Sequence, residues 1–144
     1  MKKFAFRMQR VLDVKLKKEE LLKQELGRLM QRKNAHQALK EYFESQIEQE
    51  FGKMRDTKSF SSEDQVLEEN YIHGLRNDIY KQGLTIKDYE NKIDKKRIEL
   101  IENRREIKVL ENLKEKQKEQ FMYDLMLVER KDMDEVASRT SMKF

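Results

Sequence analysis

The repeat that decides the fold runs through residues 72–110, which read IHGLRNDIYKQGLTIKDYENKIDKKRIELIENRREIKVL. An apolar residue recurs at almost every seventh position, and this line extends to residue 128. Its nine members are Ile72, Ile79, Ile86, Ile93, Leu100, Ile107, Lys114, Phe121 and Val128. All except Lys114 are apolar. A repeat held this long predicts a left-handed coiled coil, because it keeps one stripe of a helix facing a partner helix.

A companion line, three residues further along, is mostly polar. Its eight members are Leu75, Gln82, Tyr89, Lys96, Asn103, Leu110, Gln117 and Asp124. Only Leu75, Tyr89 and Leu110 are apolar. Polar residues at core positions of a coiled coil set its register at a cost in stability. The sequence therefore predicts a thin interface of modest stability.

The first third of the chain has helical spacing of its own. Apolar residues follow steps of three and four, with interruptions near Glu19 and at residues 33–36. This set comprises Met8, Leu12, Leu16, Leu22, Leu26, Leu29, Met30, Leu39, Phe43, Ile47, Phe51 and Met54. Residues 56–64 are rich in turn formers, and Ser62 with Gln65 offers a capping box for the helix that follows.

A short connection between two long helices forces them to run antiparallel. We therefore expect an all-α fold, a long antiparallel two-helix coiled-coil hairpin that forms a single domain over residues 1–144. Its helices should span about 4–56 and 63–138, with a turn at about 57–62. Folding about residue 60 places Phe4 opposite about residue 116, so the longer second helix overhangs at the terminal end.

The amino-acid composition fits this fold and excludes several classes of protein. Charged residues make up 42% of the chain, and there is no proline and no cysteine. Proline is excluded from helix interiors, and without cysteine there is no thiol chemistry, no disulfide and no Cys-ligated zinc. No signal peptide or membrane span is expected, since the longest apolar run is residues 125–128. These features predict a soluble, cytoplasmic protein.

No group of residues predicts catalysis, and we expect the protein not to be an enzyme. His36 and His73 stand alone, and the four glycines are isolated, so no phosphate-binding loop exists. Acidic pairs such as Glu19-Glu20 are interpreted as a solvated helix face, because oppositely charged residues recur three or four positions away. Hence no metal, cofactor or small-molecule substrate is predicted.

The positive charge is concentrated at the start of the chain. Residues 1–18 contain seven basic residues and one acidic residue. A basic, apolar end suits an anionic partner, and only Phe4 and Phe6 are available to stack on bases. A protein partner is therefore favoured over nucleic acid. Tyr42 and Tyr71, each beside an apolar repeat residue, suggest a second contact surface on the flank of the hairpin.

Two terminal motifs resemble those of the flagellar FliJ protein family. Residues 4–12, FAFRMQRVL, are similar to the family's opening, in which two aromatic residues and an arginine precede an apolar pair. Residues 129–137, ERKDMDEVA, are similar to its charged run into an apolar-Asp-Glu-apolar-Ala segment. The resemblance spans the full length, including the position of the turn.

The resemblance implies a non-enzymatic coiled-coil stalk and adaptor of the flagellar type III export apparatus. Family members dock in the ring of the export ATPase, promote its hexamer assembly, contact the membrane-embedded export gate and escort export chaperones. Peripheral association with the inner face of the cell membrane follows from such partners. The ring-contact residues implied here are Phe4, Phe6, Arg7, Met8, Phe121 and Leu125. The gate-contact residues implied here are Leu39, Tyr42, Gln46, Tyr71 and Leu75.

Two other functions fit parts of the sequence. Asp56, Glu63 and Asp64 at the predicted tip would suit a hairpin that enters a polymerase channel, although no residues remain for a docking domain. Eight methionines would suit a holdase-like chaperone, since methionine adapts to varied apolar partners. We expect a monomer in isolation, but the sequence does not separate an intramolecular hairpin from a swapped dimer.

Overall fold

A computed structural model describes residues 2–56 and 61–142. The described residues form two helices, α1 from Gln9–Asp56 and α2 from Ser62–Met142, with no strand among them. The helices pack antiparallel, because residues later in α1 pair with residues earlier in α2. Lys15 pairs with Glu106, and Lys33 pairs with Glu90. The predicted all-α hairpin with a longer second helix is confirmed. Most of the predicted turn lies outside the described residues.

The first helix begins at Gln9, five residues later than the sequence predicted. Its opening bonds are donated by Gln9 N–H to the Phe6 carbonyl at 3.1 Å and by Leu12 N–H to the Met8 carbonyl at 3.1 Å. Residues 2–6 lie outside any helix, and Phe6 is buried among core residues. Extended backbone advances about 3.3 Å per residue and a helix only about 1.5 Å, so a start outside the helix can extend the reach of the chain.

The second helix is capped one residue earlier than the sequence predicted. Asp64 N–H donates to Ser61 Oγ at 3.1 Å, and Gln65 N–H donates to the Ser61 carbonyl at 3.0 Å. Ser61 is therefore the N-cap, and Ser62 is the first helical residue. Glu63 and Asp64 then place negative charge where the helix dipole favours it.

The chain divides into two compact units, each containing a stretch of both helices. We call residues 2–20 with 101–142 the terminal unit and Leu21–Leu100 the central unit. In the terminal unit, Phe6, Leu12, Ile107 and Leu110 form one buried cluster, and Phe4 packs against it. In the central unit the buried apolar residues are Leu22, Ile72, Leu75, Ile86 and Ile93. These α2 residues belong to the two predicted lines.

In α1 the interface also follows a strict seven-residue repeat, which the sequence concealed. Every interface position is buried or half-buried, and six are polar. The positions are 12, 15, 19, 22, 26, 29, 33, 36, 40, 43, 47, 50 and 54. The predicted apolar residues Met8, Leu16, Met30, Leu39 and Phe51 instead flank the interface, each about two-fifths exposed.

Polar interface residues are tolerated because they find partners across the helix pair. In the terminal unit, Lys15 pairs with Glu106, and Arg104 Nη1 lies 3.1 Å from Glu19 Oε2. Asn103, which is only 2% exposed, donates from Nδ2 to the Lys15 carbonyl at 2.9 Å. Polar residues thus occupy the first interruption of the sequence pattern, near Glu19.

The central unit has a second set of such pairs. His36 Nδ1 and Gln82 Oε1 are 2.7 Å apart, and the His36 ring stacks on Tyr89 at a centroid distance of 5.5 Å. Lys33 Nζ lies 3.4 Å from Glu90 Oε1. These contacts replace apolar packing between residues 33 and 40, where all three interface positions of α1 are polar.

Candidate docking surfaces

The predicted ring-contact residues all lie in the terminal unit, at its chain-terminal end. Phe4 and Phe121 meet with ring centroids 5.7 Å apart at an interplanar angle of 52°. This tilted pairing is favourable for aromatic rings. Because residues 2–6 are non-helical, Phe4 reaches Phe121, about five residues beyond the position expected from the sequence. The N-terminal segment therefore closes over part of α2 that α1 does not cover.

The six predicted residues have different exposures. Phe6 is buried in the core cluster, so it supports the end of the unit and offers no surface to a partner. Arg7 and Met8 are exposed, whereas Phe4, Phe121 and Leu125 are half-buried. This end of the terminal unit is also positively charged, with exposed Lys2, Lys3, Arg7 and Arg10.

Past Leu125, α2 continues and is not covered by any described residue. Every residue from 126 to 141 is exposed, including the repeat residue Val128. The exposed apolar side chains of this end are Met122, Tyr123, Met126, Leu127, Val128, Met133 and Val136. An exposed apolar surface of this extent is typical of a site that binds another protein. The predicted overhanging end is thus present and uncovered.

The predicted gate-contact residues lie in the central unit on one side of the helix interface. Leu39 and Gln46 immediately precede interface residues of α1, and Tyr71 immediately precedes Ile72 of α2. In an antiparallel pair these positions border the same side of the interface. Tyr42, whose ring lies 6.0 Å from that of Phe43, is exposed, as are Leu39 and Tyr71. Leu75 is only 7% exposed, so it supports this surface from the core.

The terminal unit contains a shallow apolar groove that was not predicted from the sequence. Met8, Val11, Val109 and Leu110 line it together with Lys15, Arg105 and Glu106, and its volume is about 340 Å³. Neither valine belongs to the predicted repeat. The usable signal was an apolar residue directly before Leu12 on one helix and directly before Leu110 on the other.

Two carboxyls approach each other in the central unit, near the end of α1 and the start of α2. A hydrogen bond to Glu50 raises the pKa of Glu68, and the same bond lowers the pKa of Glu50. Lys53 Nζ lies 3.4 Å from Glu50 Oε1 and favours the ionised form of Glu50. Elsewhere, the salt bridge to Lys96 lowers the pKa of Glu25, and that to Lys15 lowers the pKa of Glu106.

Neither helix, over the described residues, has a stretch apolar and long enough to cross a bilayer. In the same residues, no three His, Cys, Asp or Glu side chains are grouped to hold a metal ion.

Comparison with known proteins identifies the family. No curated protein and no solved structure matches the chain. The sequence pattern of the family described as "Flagellar FliJ protein" matches residues 3–143, nearly the whole length. This match includes both terminal motifs, the two helices and both candidate docking surfaces. The chain therefore belongs to the flagellar FliJ protein family and is a component of the flagellar protein-export machinery.

Proposed function

We propose that the chain is a non-enzymatic stalk and adaptor of the flagellar type III export apparatus. In this proposal the end of the terminal unit docks in the ring of the export ATPase and promotes its hexamer assembly and activity. The flank of the central unit contacts the membrane export gate, and the chain also engages export chaperones. It works in the cytoplasm, held at the inner face of the cell membrane through these partners.

One observation carries the ring-docking part of the proposal. The end of the terminal unit combines the Phe4–Phe121 pair, exposed basic residues and an uncovered apolar stretch of α2. A solvent-exposed apolar stretch costs free energy unless a partner covers it, and exposed cations steer an anionic partner toward it. Arg7, Met8 and Leu125 are predicted contacts that remain accessible. Phe6 is buried and stabilises this end by packing in the core cluster.

The gate part of the proposal rests on the flank residues of the central unit. Tyr42 and Tyr71 are 57% and 47% exposed, and each directly precedes a residue of the helix interface. Tyrosine in such a position offers an apolar ring and a polar hydroxyl to a partner, as at many protein interfaces. Leu39 and Gln46 extend the same flank along α1.

The decisive experiment titrates the cognate export ATPase with and without this chain and measures ATP hydrolysis. The chain should shift the activity curve to lower ATPase concentration, because a stalk promotes hexamer assembly. Removal of residues 119–144 should abolish the shift, while circular dichroism still shows a folded helix pair. No effect of the intact chain on its matched ATPase would refute the ring-docking proposal.

Point variants locate the surface. Leu125→Asp should remove most of the stimulation, whereas Leu84→Asp, the same change at an exposed site in the central unit, should leave it intact. For the gate, Tyr42→Ala and Tyr71→Ala should weaken binding to the solubilised gate protein several-fold. Tyr80→Ala is the matched control, because Tyr80 is also exposed, more so than Tyr42 and Tyr71, but lies on the other side of the interface.

A holdase-like chaperone is a second candidate, supported by the exposed methionines of α2. Met122, Met126 and Met133 are at least half exposed, and such side chains adapt to many apolar partners. Suppressed aggregation of unrelated unfolded proteins, with no effect on the ATPase, would favour this function over the stalk.

A further inference from the structure

The isoleucine line of α2 is well suited to a second copy of the same helix. Five isoleucines occupy one repeat position between residues 72 and 107: Ile72, Ile79, Ile86, Ile93 and Ile107. The isoleucine line is position a of the heptad and the companion line is position d, and isoleucine at a with leucine at d favours parallel two-stranded coiled coils. In the structure the same line faces α1 instead. Some other feature of the sequence must therefore make α1 the better partner.

That feature is the companion line, in which three interface residues are polar and each is matched by α1. Gln82 Oε1 lies 2.7 Å from His36 Nδ1 in the central unit. Lys96 Nζ lies 2.8 Å from Glu25 Oε2, also in the central unit. In the terminal unit, Asn103 Nδ2 donates to the Lys15 carbonyl at 2.9 Å. Each of the three α2 side chains has a partner of matching chemistry.

We propose that Gln82, Lys96 and Asn103 select α1 as the partner of α2 and prevent α2 from pairing with a second copy of itself. In a parallel α2 pair each companion-line residue faces its own copy. Two Lys96 ammonium groups would then meet with no carboxylate between them. Buried like charges repel strongly and lose their hydration, so this layer opposes the parallel pair.

An antiparallel α2 pair is opposed for a different reason. There, companion-line residues lie in the same layers as the isoleucine line of the other copy. The ammonium of Lys96 and the amides of Gln82 and Asn103 would be buried against isoleucine side chains. Polar groups buried without hydrogen-bond partners are strongly unfavourable. In the hairpin, α1 instead brings a histidine, a glutamate and a backbone carbonyl within bonding distance of one polar group at each of the three positions.

Electrostatic interactions favour the match at Lys96. Its hydrogen bond and charge interaction with Glu25 raise the pKa of Lys96, and Lys96 in turn lowers the pKa of Glu25. Each group therefore favours the charged form of the other at neutral pH. Neighbouring Glu99 adds to this, with its Oε2 3.5 Å from the same ammonium.

The test replaces all three polar residues by leucine, in the full chain, and asks which helix α2 then contacts. Ile79→Cys supplies a reporter thiol at a half-buried interface position, and the chain contains no other cysteine. In a parallel α2 pair the reporter thiols of the two copies face each other, so mild oxidation links them. Far-UV circular dichroism confirms that each variant remains helical.

In the triple-leucine variant that carries Ile79→Cys we expect the disulfide cross-link and a doubled mass by light scattering. The chain with only Ile79→Cys should show no cross-link. Lys95→Leu in that background is the matched control, because it adds a leucine next to Lys96 but outside the interface. The proposal is overturned if the triple-leucine variant fails to cross-link, or if the chain that keeps Gln82, Lys96 and Asn103 does so.

Discussion

Asn103 and Ile107 are one turn apart on α2, and both are almost fully buried, yet they stabilise the fold in different ways. Ile107, with no exposed surface, lies in the cluster with Phe6, Leu12 and Leu110. Asn103 contributes a hydrogen bond to α1, and its Oδ1 has no hydrogen-bond partner among the described residues. The isoleucine therefore provides stability, whereas the asparagine favours one particular alignment of the helices.

Ile107→Ala should destabilise the terminal unit by about 2–5 kcal/mol, because it removes buried methyl groups and leaves a cavity. Chemical denaturation measures this as a lower midpoint. Ile101→Ala is the control: Ile101 is 54% exposed, and its replacement should change stability by no more than about 0.5 kcal/mol. Equal losses in the two variants would contradict the assignment of Ile107 to the core.

At the scale of the helix, the N-termini of α1 and α2 are stabilised in different ways. Ser61 caps α2 with its side chain, and two acidic residues follow in the first turn. The first turn of α1 contains no acidic residue and is preceded by the packed segment 2–6. A capped end depends on local hydrogen bonds, whereas the start of α1 depends on the burial of Phe6.

Ser61→Ala should cost about 1 kcal/mol, since Asp64 N–H loses its acceptor. The effect should be local, so hydrogen exchange of the first-turn amides of α2 is the most direct measurement. Those amides should exchange about fivefold faster, in line with the lost free energy. Ser62→Ala, one residue into the helix, should leave their exchange nearly unchanged, and a larger effect there than at Ser61 would mean that Ser62 is the cap.

At the scale of the whole molecule, two groups of carboxylates contribute to stability with opposite dependence on pH. Glu25 and Glu106 have a pKa below the ordinary value of 4.5, because each is paired with a lysine on the other helix. Glu68 has a raised pKa because of Glu50. A lowered pKa stabilises the fold above the ordinary value, whereas a raised pKa stabilises it below that value.

We therefore expect thermal stability to fall as the pH drops below about 4.5, through the lowered pKa values of Glu25 and Glu106. Glu68→Gln should act oppositely, because it removes a charge that is unfavourable at neutral pH. Its melting temperature should exceed that of the parent at pH 7, and the difference should vanish near pH 4. The matched control is Glu69→Gln, an exposed neighbour, and an equal gain there would contradict the role of the Glu50–Glu68 contact.

The candidate surfaces were only partly predictable. The family resemblance implied Phe4, Phe121 and Leu125 as contacts, and the last two also lie beyond the expected reach of α1. The burial of Leu75 agrees with its place in the companion line and leaves little of it exposed for the predicted gate contact. The burial of Phe6 was not foreseen, since spacing along one chain does not show which residues the partner helix covers. The Val11–Val109 groove was missed for the same reason.

By itself, the sequence determined the helical class, the antiparallel pairing and the longer second helix, because a seven-residue repeat and one turn-rich stretch leave few other packings. Tertiary structure alone decided the alignment of α1. There the interface includes Lys15, Glu19, Lys33 and His36, which look like surface residues until their partners on α2 are known. The physical reason is that a buried polar group is stable only with a hydrogen-bond or charge partner, and that partner is distant in sequence.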